Sequence, residues 1–316
     1  MPKENIFIAG ASGMVGSSLV KLFSKKNYNL ITPSSKNLNL INQKEVITFF
    51  RKNRIDYVII AAARVGGILE NSSYPAEFIY HNTLIQSNII HSAYENNVKK
   101  LIFLGSSCIY PKLCPQPIKE EYLLSNYLEP TNEAYALAKI SGIKMCKFYN
   151  LQYGLDFRAL MPTNLYGNND NFDDKSSHVI PALISRMHNA KLQGAESVTI
   201  WGSGSPLREF LHVDDLSSAV YKIFKLTKQE FIAACNGEEC HLNVGHFEET
   251  TIRKLASLIQ EVVGFQGKLV FDSSLPDGTP RKKLDISKLD KLGWRPVVNL
   301  RDGISHVYDW YLKTNL

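Results

Sequence analysis

The sequence NIFIAGASGMVGSSLVKLF at residues 5–23 decides the fold of this chain. Its first residues are mostly apolar, as expected for a strand covered on both faces. Three glycines follow at the spacing GxxGxxG, and then apolar residues recur at helical intervals. Glycines let a backbone approach a pyrophosphate closely, and a helix N-terminus offers free N–H groups. We therefore predict a dinucleotide site rather than a plain tight turn. Its predicted ligands are Gly10, Ser12, Gly13, Met14, Val15 and Gly16.

Apolar segments alternate with helical patterns through the rest of the first half. Predicted strands begin at residues 29, 57, 101 and 157, and predicted helices span 45–52, 76–97 and 132–152. This alternation predicts an α/β fold with a doubly wound parallel sheet of the Rossmann type. The alternating pattern stops after Gly167, where a polar stretch begins. We expect a dinucleotide-binding domain at 1–167 and a smaller α/β substrate lobe that is mainly 168–316, with part of 212–240 returning to the first domain.

The loop after the second predicted strand bears on the choice of cofactor. Proteins that bind NAD usually place an acidic residue there to hold the ribose 2′-hydroxyl. This chain has Ser34, Ser35 and Lys36 instead. Two hydroxyls and an ammonium suit a 2′-phosphate better, so we expect NADP, used as NADPH. A solvated loop without a ligand is the alternative.

The segment LIFLGSSCIYP at residues 101–111 predicts a buried strand that stops at small and polar residues. In open α/β sheets, chemistry lies just beyond such strand ends, which here carry Ser106 and Cys108. Tyr135 and Lys139 follow on a predicted helix, where residues four apart share one face. A nearby ammonium favours the phenolate and lowers the pKa of a tyrosine. Tyr135 is therefore a candidate acid or base near neutral pH.

Several of these residues have competing interpretations. Ser107 could face the site in place of Ser106, and a free cysteine such as Cys108 is most often a small buried hydrophobe. If the strand continues past Ser106, Cys108 lies on the same side, and a thiolate is a competent base for a carbon acid. Inverting a carbon centre requires a second group on the opposite face. The candidate is His178, near a helix start in the second lobe, although such a histidine is ordinarily a surface residue.

Basic and aromatic residues of the second half are candidates for binding a nucleotide. Arg186, Arg208, Lys282 and Lys283 could bind a diphosphate, with surface solvation as the alternative. Trp201 could stack on a base or a sugar, and packing in the core is equally compatible with its position.

The composition excludes several classes of protein. The 316 residues carry a formal charge of +6 from scattered lysines, which suits an anionic ligand but does not indicate nucleic acid. The five cysteines are irregularly spaced without a CxxC pair, which argues against a disulfide framework and a structural zinc site, and we expect no metal. A reducing cytoplasm fits this cysteine usage. We expect no secretory leader and no membrane contact, since no apolar run approaches the ~18 residues of a span.

Eight motifs together resemble the GDP-L-fucose synthase family of the extended short-chain dehydrogenase/reductase superfamily, and they extend over nearly the whole chain. They are GASGMVG (10–16), AARVGGI (62–68), LGSSCIYP (104–111), EAYALAK (133–139), MPTNLYG (161–167), SHVIPAL (177–183), WGSGSPLREFLHVDDL (201–216) and PDGTPRK (276–282). Several of them are long and unusual, so the resemblance is specific.

The resemblance implies a function and a role for each matching residue. The expected reaction is NADPH-dependent 3,5-epimerisation and 4-reduction of GDP-4-keto-6-deoxy-D-mannose to GDP-L-fucose, by a homodimer joined through helices 76–97 and 132–152. Ser106, Tyr135 and Lys139 would form the reductase triad, with Cys108 as the epimerisation base and His178 as the acid. The implied substrate contacts are Asn164, Arg186, Trp201, Arg208 and Lys282. The implied cofactor contacts beyond the glycine turn and the triad are Ala62, Ala63, Pro162, Asn164 and Leu165.

One departure from the family concerns the cofactor. Many bacterial members carry His-Arg where this chain has Ala11-Ser12, and that arginine helps hold the 2′-phosphate. Preference for NADPH would then rest on Ser34, Ser35 and Lys36. Two other functions stay open. One is an epimerase/reductase or plain 4-reductase acting on another GDP-4-keto sugar, such as a 6-deoxyheptose. The other is a catalytically silent NADP-binding regulatory protein.

Overall fold

The computed structural model describes residues 3–173, 177–237, 240–275 and 277–315, so Pro276 of the last motif lies outside the described residues. The strands are β1 Glu4–Ala9, β2 Tyr28–Ile31, β3 Tyr57–Ile60, β4 Lys100–Leu104, β5 Phe157–Pro162, β6 Asn164–Tyr166, β7 Ser197–Trp201, β8 Leu207–Arg208, β9 Phe210–His212, β10 His241–Val244, β11 Thr250–Thr251, β12 Lys268–Asp272 and β13 Arg281–Lys282. The helices are α1 Met14–Phe23, α2 Gln43–Lys52, α3 Ile68–Ser73, α4 Pro75–Glu95, α5 Glu133–Tyr153, α6 Val179–Leu192, α7 Val213–Lys225, α8 Lys228–Ala234, α9 Ile252–Val263, α10 Ser287–Lys291 and α11 Leu300–Asn315. Short 3₁₀ helices lie at Ser107–Ile109, Glu120–Tyr122 and Pro130–Asn132.

Six strands form a central parallel sheet in the order β10-β5-β4-β3-β1-β2. The chain runs from β1 outward to β2 and then returns across β1 to add β3 on the other side. The order therefore reverses between β1 and β3, and ligands of open α/β sheets bind at such a reversal, beyond the carboxyl ends of the strands. The predicted doubly wound parallel sheet is confirmed.

Both faces of this sheet are buried because its side chains alternate between two apolar cores. Phe7, Ile60 and Phe103 point into a core shared with α2, α4 and α5. Ile8 and Ile102 point the other way, into a core shared with α1, α7 and α8. Full burial of each such side chain contributes roughly 1.5–3 kcal/mol, so the two layers together hold the sheet rigidly.

The second half of the chain builds a smaller α/β unit with a core of its own. Helices α6, α9 and α11 supply this core, with Ile184, Leu255 and Ile304 fully buried among them. β7 and β12 form a parallel pair, and β8 lies between β11 and β13 in a three-stranded sheet. The chain also returns to the first half, since α7 packs on α1 and β10 is an edge strand of the central sheet. Where the domain boundary falls remains a prediction.

A buried cation fastens α7 to the central sheet. Arg158 on β5 is fully buried and pairs with Asp156 through two hydrogen bonds of 2.6 and 2.7 Å. Its guanidinium also donates to the carbonyl oxygen of Ile223 and, at 3.0 Å, to that of Leu226. These carbonyls close the last turn of α7, where the helix dipole favours a positive charge. The buried charge is thus satisfied by one carboxylate and two carbonyl oxygens.

Two of the predicted strands are shorter in the structure than the sequence suggested. The apolar run YVIIAAA predicted a strand over Tyr57 to Ala63, but β3 stops at Ile60, and β4 stops at Leu104. Ala61 and Gly105 still donate their N–H groups to the carbonyl oxygens of Ala9 and Leu160, at 3.0 and 2.9 Å, and the residues after them form the loops of the carboxyl edge. Within the described ranges, no helix is both long and apolar enough to cross a membrane.

We predict that Arg158→Met destabilises the protein by about 3–5 kcal/mol, because the change removes the guanidinium from the half-buried Asp156 carboxylate and from the carbonyl oxygen of Ile223. Urea unfolding followed by circular dichroism measures the free energy. Arg295→Met is the matched control, since Arg295 also forms a bidentate pair, with Asp290, but is exposed. A much smaller change is expected for the control. Equal effects of the two substitutions would contradict this account of Arg158.

Candidate active site

The three glycines of the turn between β1 and α1 have different surroundings. Gly10 has a φ of +82°, and a Cβ there would lie 2.7 Å from the backbone of Ala62. A Cβ on Gly16 would overlap the carbonyl oxygen of Gly10, so this glycine lets α1 pack closely on the turn. A Cβ on Gly13 would meet the same oxygen at an ordinary 3.7 Å. Packing within the chain therefore requires glycine at 10 and 16 but not at 13.

The open space at Gly13 fits a pyrophosphate. Gly13 precedes the first residue of α1, where it makes no side-chain cap, so the N–H groups of the first turn are available to a ligand. Ser12 and Gly13 are exposed, and Met14 and Val15 are half-buried. Free N–H groups at the positive end of a helix dipole form an anion site. The donors present suit the phosphates of a dinucleotide.

The remaining predicted cofactor residues lie along the same carboxyl edge of the sheet. Ser34, Ser35 and Lys36 are exposed in the loop after β2, and Ala62 and Ala63 follow β3. Three more stand at the end of β5 and the start of β6, namely Pro162, Asn164 and Leu165. The fold thus brings these segments to one edge, while their contact with NADP stays a prediction.

Ser106, Tyr135 and Lys139 meet where α5 passes the end of β4. Lys139 is 4% exposed, and its Nζ donates to the carbonyl oxygen of Leu104 at 2.8 Å. The same Nζ lies 5.7 Å from the centre of the Tyr135 ring. The Ser106 hydroxyl lies close enough to lower the pKa of the Tyr135 phenol, whereas Ser107 is 3% exposed on the 3₁₀ helix. Of the two serines, Ser106 is the one that reaches Tyr135.

The protonation states within this cluster differ from the prediction. Burial raises the pKa of Tyr135, the charge of Cys108 raises it further, and the hydrogen bond with Ser106 offsets part of the rise. Burial lowers the pKa of Lys139 to about 7. The expectation of a lowered pKa for Tyr135 was therefore wrong, because desolvation of the buried phenol is the largest effect on it. The phenol keeps its proton at neutral pH, which is the state required of an acid.

Cys108 lines a cleft beside the triad. The strand does not continue to it as the sequence argument assumed. β4 ends at Leu104, and Cys108 lies on the following 3₁₀ helix, where its N–H donates to Ser106 Oγ at 3.3 Å. The Sγ atom accepts a hydrogen bond from Lys282 Nζ at 3.5 Å. The cleft is lined by Cys108 and Asn132 on one side and by Lys282 on the other, so the thiol is placed where the two halves of the molecule meet.

His178 lies at the opening of the second lobe. It directly precedes α6, is exposed, and makes no side-chain cap to that helix. Its charge lowers the pKa of the Asp170 carboxyl, although burial of Asp170 outweighs this and raises that pKa overall. The structure gives Cys108 the neighbours Ser106 and Lys282, and gives His178 the neighbour Asp170. The pairing of Cys108 with His178 across a substrate stays a prediction.

Two cations of the predicted substrate set stand side by side. Arg208 on β8 and Lys282 on β13 are register partners in parallel strands, so their side chains share one face. Burial lowers the pKa of Arg208, with Asp277 acting in the opposite direction. Arg186 lies 5.8 Å from the ring centre of Trp201, which is 55% exposed. Adjacent cations and an open aromatic ring suit a diphosphate and a flat base.

Sequence reasoning missed two acidic residues at this site. Glu209 is fully buried between Arg208 and Phe210. A carboxylate followed by an apolar run was a signal available in the sequence, since buried acids require dedicated partners. Asp170 lies in a polar loop, where nothing in the sequence separated it from its solvated neighbours.

A parallel sheet with a glycine turn and a Ser–Tyr–Lys cluster at its carboxyl edge defines a dinucleotide-dependent oxidoreductase of the extended short-chain dehydrogenase/reductase class. Residues 6–244 match the model of the NAD dependent epimerase/dehydratase family, and the chain belongs to that family.

Known relatives narrow the class further. The chain is 56% identical over 309 residues to GDP-L-fucose synthase 1 of Arabidopsis thaliana. The aligned region covers 98% of this chain and 93% of the relative. It is 51% identical to the GDP-L-fucose synthase of Escherichia coli (strain K12), over 99% and 98% of the two chains. Among solved structures, a GDP-mannoheptose C4 reductase from Campylobacter jejuni with NADP bound is 37% identical. It superposes with a TM-score of 0.89 over 99% of both chains.

We predict that Gly13→Ala weakens NADPH binding about tenfold while leaving the free energy of unfolding nearly unchanged, because the new methyl group enters the space that fits the pyrophosphate. Gly16→Ala should instead destabilise the fold by about 1–3 kcal/mol, since its methyl group meets backbone. Fluorescence titration with NADPH and urea unfolding separate the two effects. Wild-type affinity in Gly13→Ala would show that the cofactor does not approach this turn.

We also predict a pH dependence that arises from Lys139. Its pKa is about 7 in the folded protein and 10.5 when unperturbed. Between these values the unfolded chain binds more protons, so the free energy of unfolding rises with pH there; below about 7 this group contributes no slope. The melting temperature of the wild type should therefore rise relative to that of Lys139→Met between pH 7 and 9.5. Parallel curves for the two proteins would contradict the lowered pKa.

Proposed function

We propose that the protein is an NADPH-dependent enzyme that epimerises C3 and C5 of GDP-4-keto-6-deoxy-D-mannose and reduces C4, giving GDP-L-fucose. The observation that carries the proposal is the joining of Ser106, Tyr135 and Cys108 at one strand end, with Lys139 buried beneath them. A hydroxyl pair that can protonate an oxygen thus stands beside a thiol that can take a proton from carbon. The similarity to two GDP-L-fucose synthases supports the choice of substrate.

The epimerisation half-reaction uses the C4 ketone to acidify the neighbouring C–H bonds. We assign Cys108 as the base that removes the proton from C3 and later from C5, leaving the negative charge on the C4 oxygen as an enolate. His178 returns a proton to the opposite face of the same carbon, so the sugar is inverted with no net change in its protons. Cys108 then loses its proton to solvent and His178 regains one from solvent before the second inversion. Because C3 and C5 both flank the ketone, one pair of groups can serve both positions.

The reduction half-reaction takes place at the ketone itself. When bound, NADPH supplies the hydride that C4 accepts. Tyr135 gives its proton to the C4 oxygen, and Ser106 holds that oxygen through its hydroxyl. The raised pKa of Tyr135 suits this direction, because the phenol stays protonated until charge develops on the substrate. We assign Lys139 to orient the nicotinamide ribose and Tyr135, from its fixed position against Leu104.

We assign the nucleotide part of the substrate to the second lobe. Arg208 and Lys282 would hold the diphosphate from one face, and Trp201 with Arg186 would hold the base. Asn164, whose Nδ2 donates to the carbonyl oxygen of Glu209 at 2.9 Å, would stand between substrate and cofactor. We assign the glycine turn and the loops after β2, β3 and β5 to NADP. This assignment divides the chain near residue 167 into cofactor and substrate parts.

We further propose a homodimer in the cytoplasm. Helices α4 and α5 pack against each other and present apolar side chains outward, including Tyr80, Leu137, Phe148 and Leu151. Exposed apolar side chains on a packed helix pair suit contact with a second copy of the same pair. All five cysteines are free thiols, which suits a reducing compartment.

A second candidate function is reduction of a GDP-linked heptose. The similarity to a GDP-mannoheptose C4 reductase over nearly the whole chain favours it, since a reductase without epimerase activity would need the same triad. A silent regulatory protein is disfavoured, because it would have no need of the thiol, the triad and the adjacent cations together.

We predict that incubation with GDP-4-keto-6-deoxy-D-mannose and NADPH in D₂O consumes NADPH and places deuterium at C3 and C5. Tyr135→Phe should lower NADPH oxidation about 10²-fold or more while deuterium still enters the sugar. Cys108→Ser should abolish deuterium entry and keep NADPH affinity. Absorbance at the NADPH band and NMR of the sugar measure both halves.

Cys114→Ser is the control, since Cys114 is a half-buried thiol that plays no part in the proposed reaction. Deuterium entry at the wild-type rate in Cys108→Ser would overturn its assignment as the base. NADPH oxidation without deuterium would make the protein a plain 4-reductase. No turnover of this sugar, with turnover of a GDP-4-keto-heptose, would establish the second candidate.

A further inference from the structure

We infer that Glu209 is a positioning residue that fixes Arg208 and Lys282 as one unit for the diphosphate of the GDP-sugar. The inference rests on the proposed function, which assigns these two cations to the substrate. Glu209 itself is fully buried, and its carboxylate binds backbone N–H groups rather than a ligand.

The carboxylate of Glu209 joins two separate segments of chain through their backbones. One oxygen, Oε2, accepts the N–H of Leu284 at 2.9 Å, and the other, Oε1, accepts the N–H of His246. Gly245 precedes His246, and a Cβ there would overlap Oε1, so the carboxylate fills the space that this glycine leaves. Both carboxylate oxygens are thus engaged by backbone donors, as a buried carboxylate requires.

These contacts act on the two cations from both sides. Arg208 is the residue directly before Glu209, and Lys282 lies two residues before Leu284. Lys282 is already the register partner of Arg208, but β8 and β13 are paired over two residues only. A pairing this short does not hold two strands in register by itself. The Glu209 carboxylate closes the end of this short pair and so sets the spacing between the guanidinium and the ammonium.

The backbone of Glu209 extends the same link to the central sheet. Its carbonyl oxygen accepts a hydrogen bond from Asn164 Nδ2 at 2.9 Å. Asn164 follows β5, whose end borders the site. Glu209 therefore connects the second lobe to the strand edge that carries the triad, and loss of its carboxylate should act on binding of the GDP-sugar rather than on the triad itself.

The two backbone donors are bound best by the ionised carboxylate, since protonation turns one oxygen into a hydroxyl that accepts an N–H only weakly. Burial raises the pKa of Glu209 to about 7, while the ammonium of Lys283 and the two N–H groups act to lower it. The His246 ring beside it has a pKa lowered by burial, so it is neutral near pH 7. Arg208 stays charged throughout. GDP-sugar affinity should thus fall as pH decreases through about 7.

The free energy of unfolding depends on the ionisation of Glu209 in the opposite direction to GDP-sugar affinity. Because the folded-state pKa lies above the unperturbed 4.5, the contribution of Glu209 to stability is complete below about 4.5 and is lost as pH rises through about 7. A residue with a merely structural role would change stability and binding in the same direction. Opposite pH slopes for the two quantities are the signature of the positioning role.

The test measures binding of GDP-mannose by calorimetry at pH 6 and pH 8, since its diphosphate ester does not titrate in this range. Wild-type affinity should be several-fold weaker at pH 6. Glu209→Gln should weaken binding about tenfold at pH 8 and remove the pH dependence, since a Gln amide places a donor against one N–H. NADPH affinity should stay within twofold of wild type. Glu209→Asp should recover part of the affinity.

Glu249→Gln is the matched control, because Glu249 pairs with Arg281, which neighbours Lys282 on β13 but points away from it. Its effect on GDP-mannose binding should be under twofold. Wild-type affinity in Glu209→Gln, or an affinity of the wild type that does not change between pH 6 and pH 8, would overturn the inference. If Glu209→Gln does not fold, Glu209→Asp decides, because a GDP-mannose affinity and pH profile equal to those of the wild type would overturn the inference. The pH profile of Lys139→Met, measured in parallel, identifies any contribution of that lysine, whose pKa is also about 7. Because GDP-mannose binds without turnover, failure of the proposed reaction is recognised separately in the deuterium experiment.

Discussion

The hydrogen bond from Lys139 to the carbonyl oxygen of Leu104 is the contact on which the catalytic end of the molecule depends. It joins the middle of a long helix to the last residue of the central strand β4. Because Tyr135 lies one helical turn before Lys139, this contact brings its hydroxyl to Ser106. The burial that makes the contact rigid also lowers the pKa of the lysine to about 7 and raises that of the tyrosine. Position and acidity therefore have the same physical origin.

The second lobe also uses a buried charged side chain to hold backbone in place. It must present two positive side chains close together, although like charges repel and the strands that carry them are short. The fold places a buried carboxylate behind them and uses it to bind backbone rather than to neutralise the cations. Arg158 is the opposite case, a buried cation that binds the carbonyl groups of a helix end. In both places a buried charge holds backbone segments whose position matters elsewhere.

How far the sequence predicted this molecule depended on whether the deciding interaction was local. Gly10 and Gly16 predicted the turn at the first strand, because the positive φ of Gly10 and the close approach of Gly16 to Gly10 both lie within a few residues. The alternation of apolar segments predicted the parallel sheet for the same reason. The predicted direction of the pKa shift of Tyr135 was wrong, because the shift depends on burial by segments distant in sequence. Glu209 escaped notice because its partners lie 37 and 75 residues away.

The path of the chain through its two halves limits how the protein can move. After β5 the backbone passes into the smaller lobe, returns to the sheet as α7 and β10, and then leaves it again. Because the chain crosses between the two lobes several times, the lobes cannot rotate apart about a single hinge. Adjustment to a substrate is then confined to small rotations and loop movements about a nearly fixed cleft. Such a cleft accommodates a narrower range of ligand shapes but keeps a bound ligand in one orientation. That suits a site that must hold one sugar ring through successive steps at three neighbouring carbons.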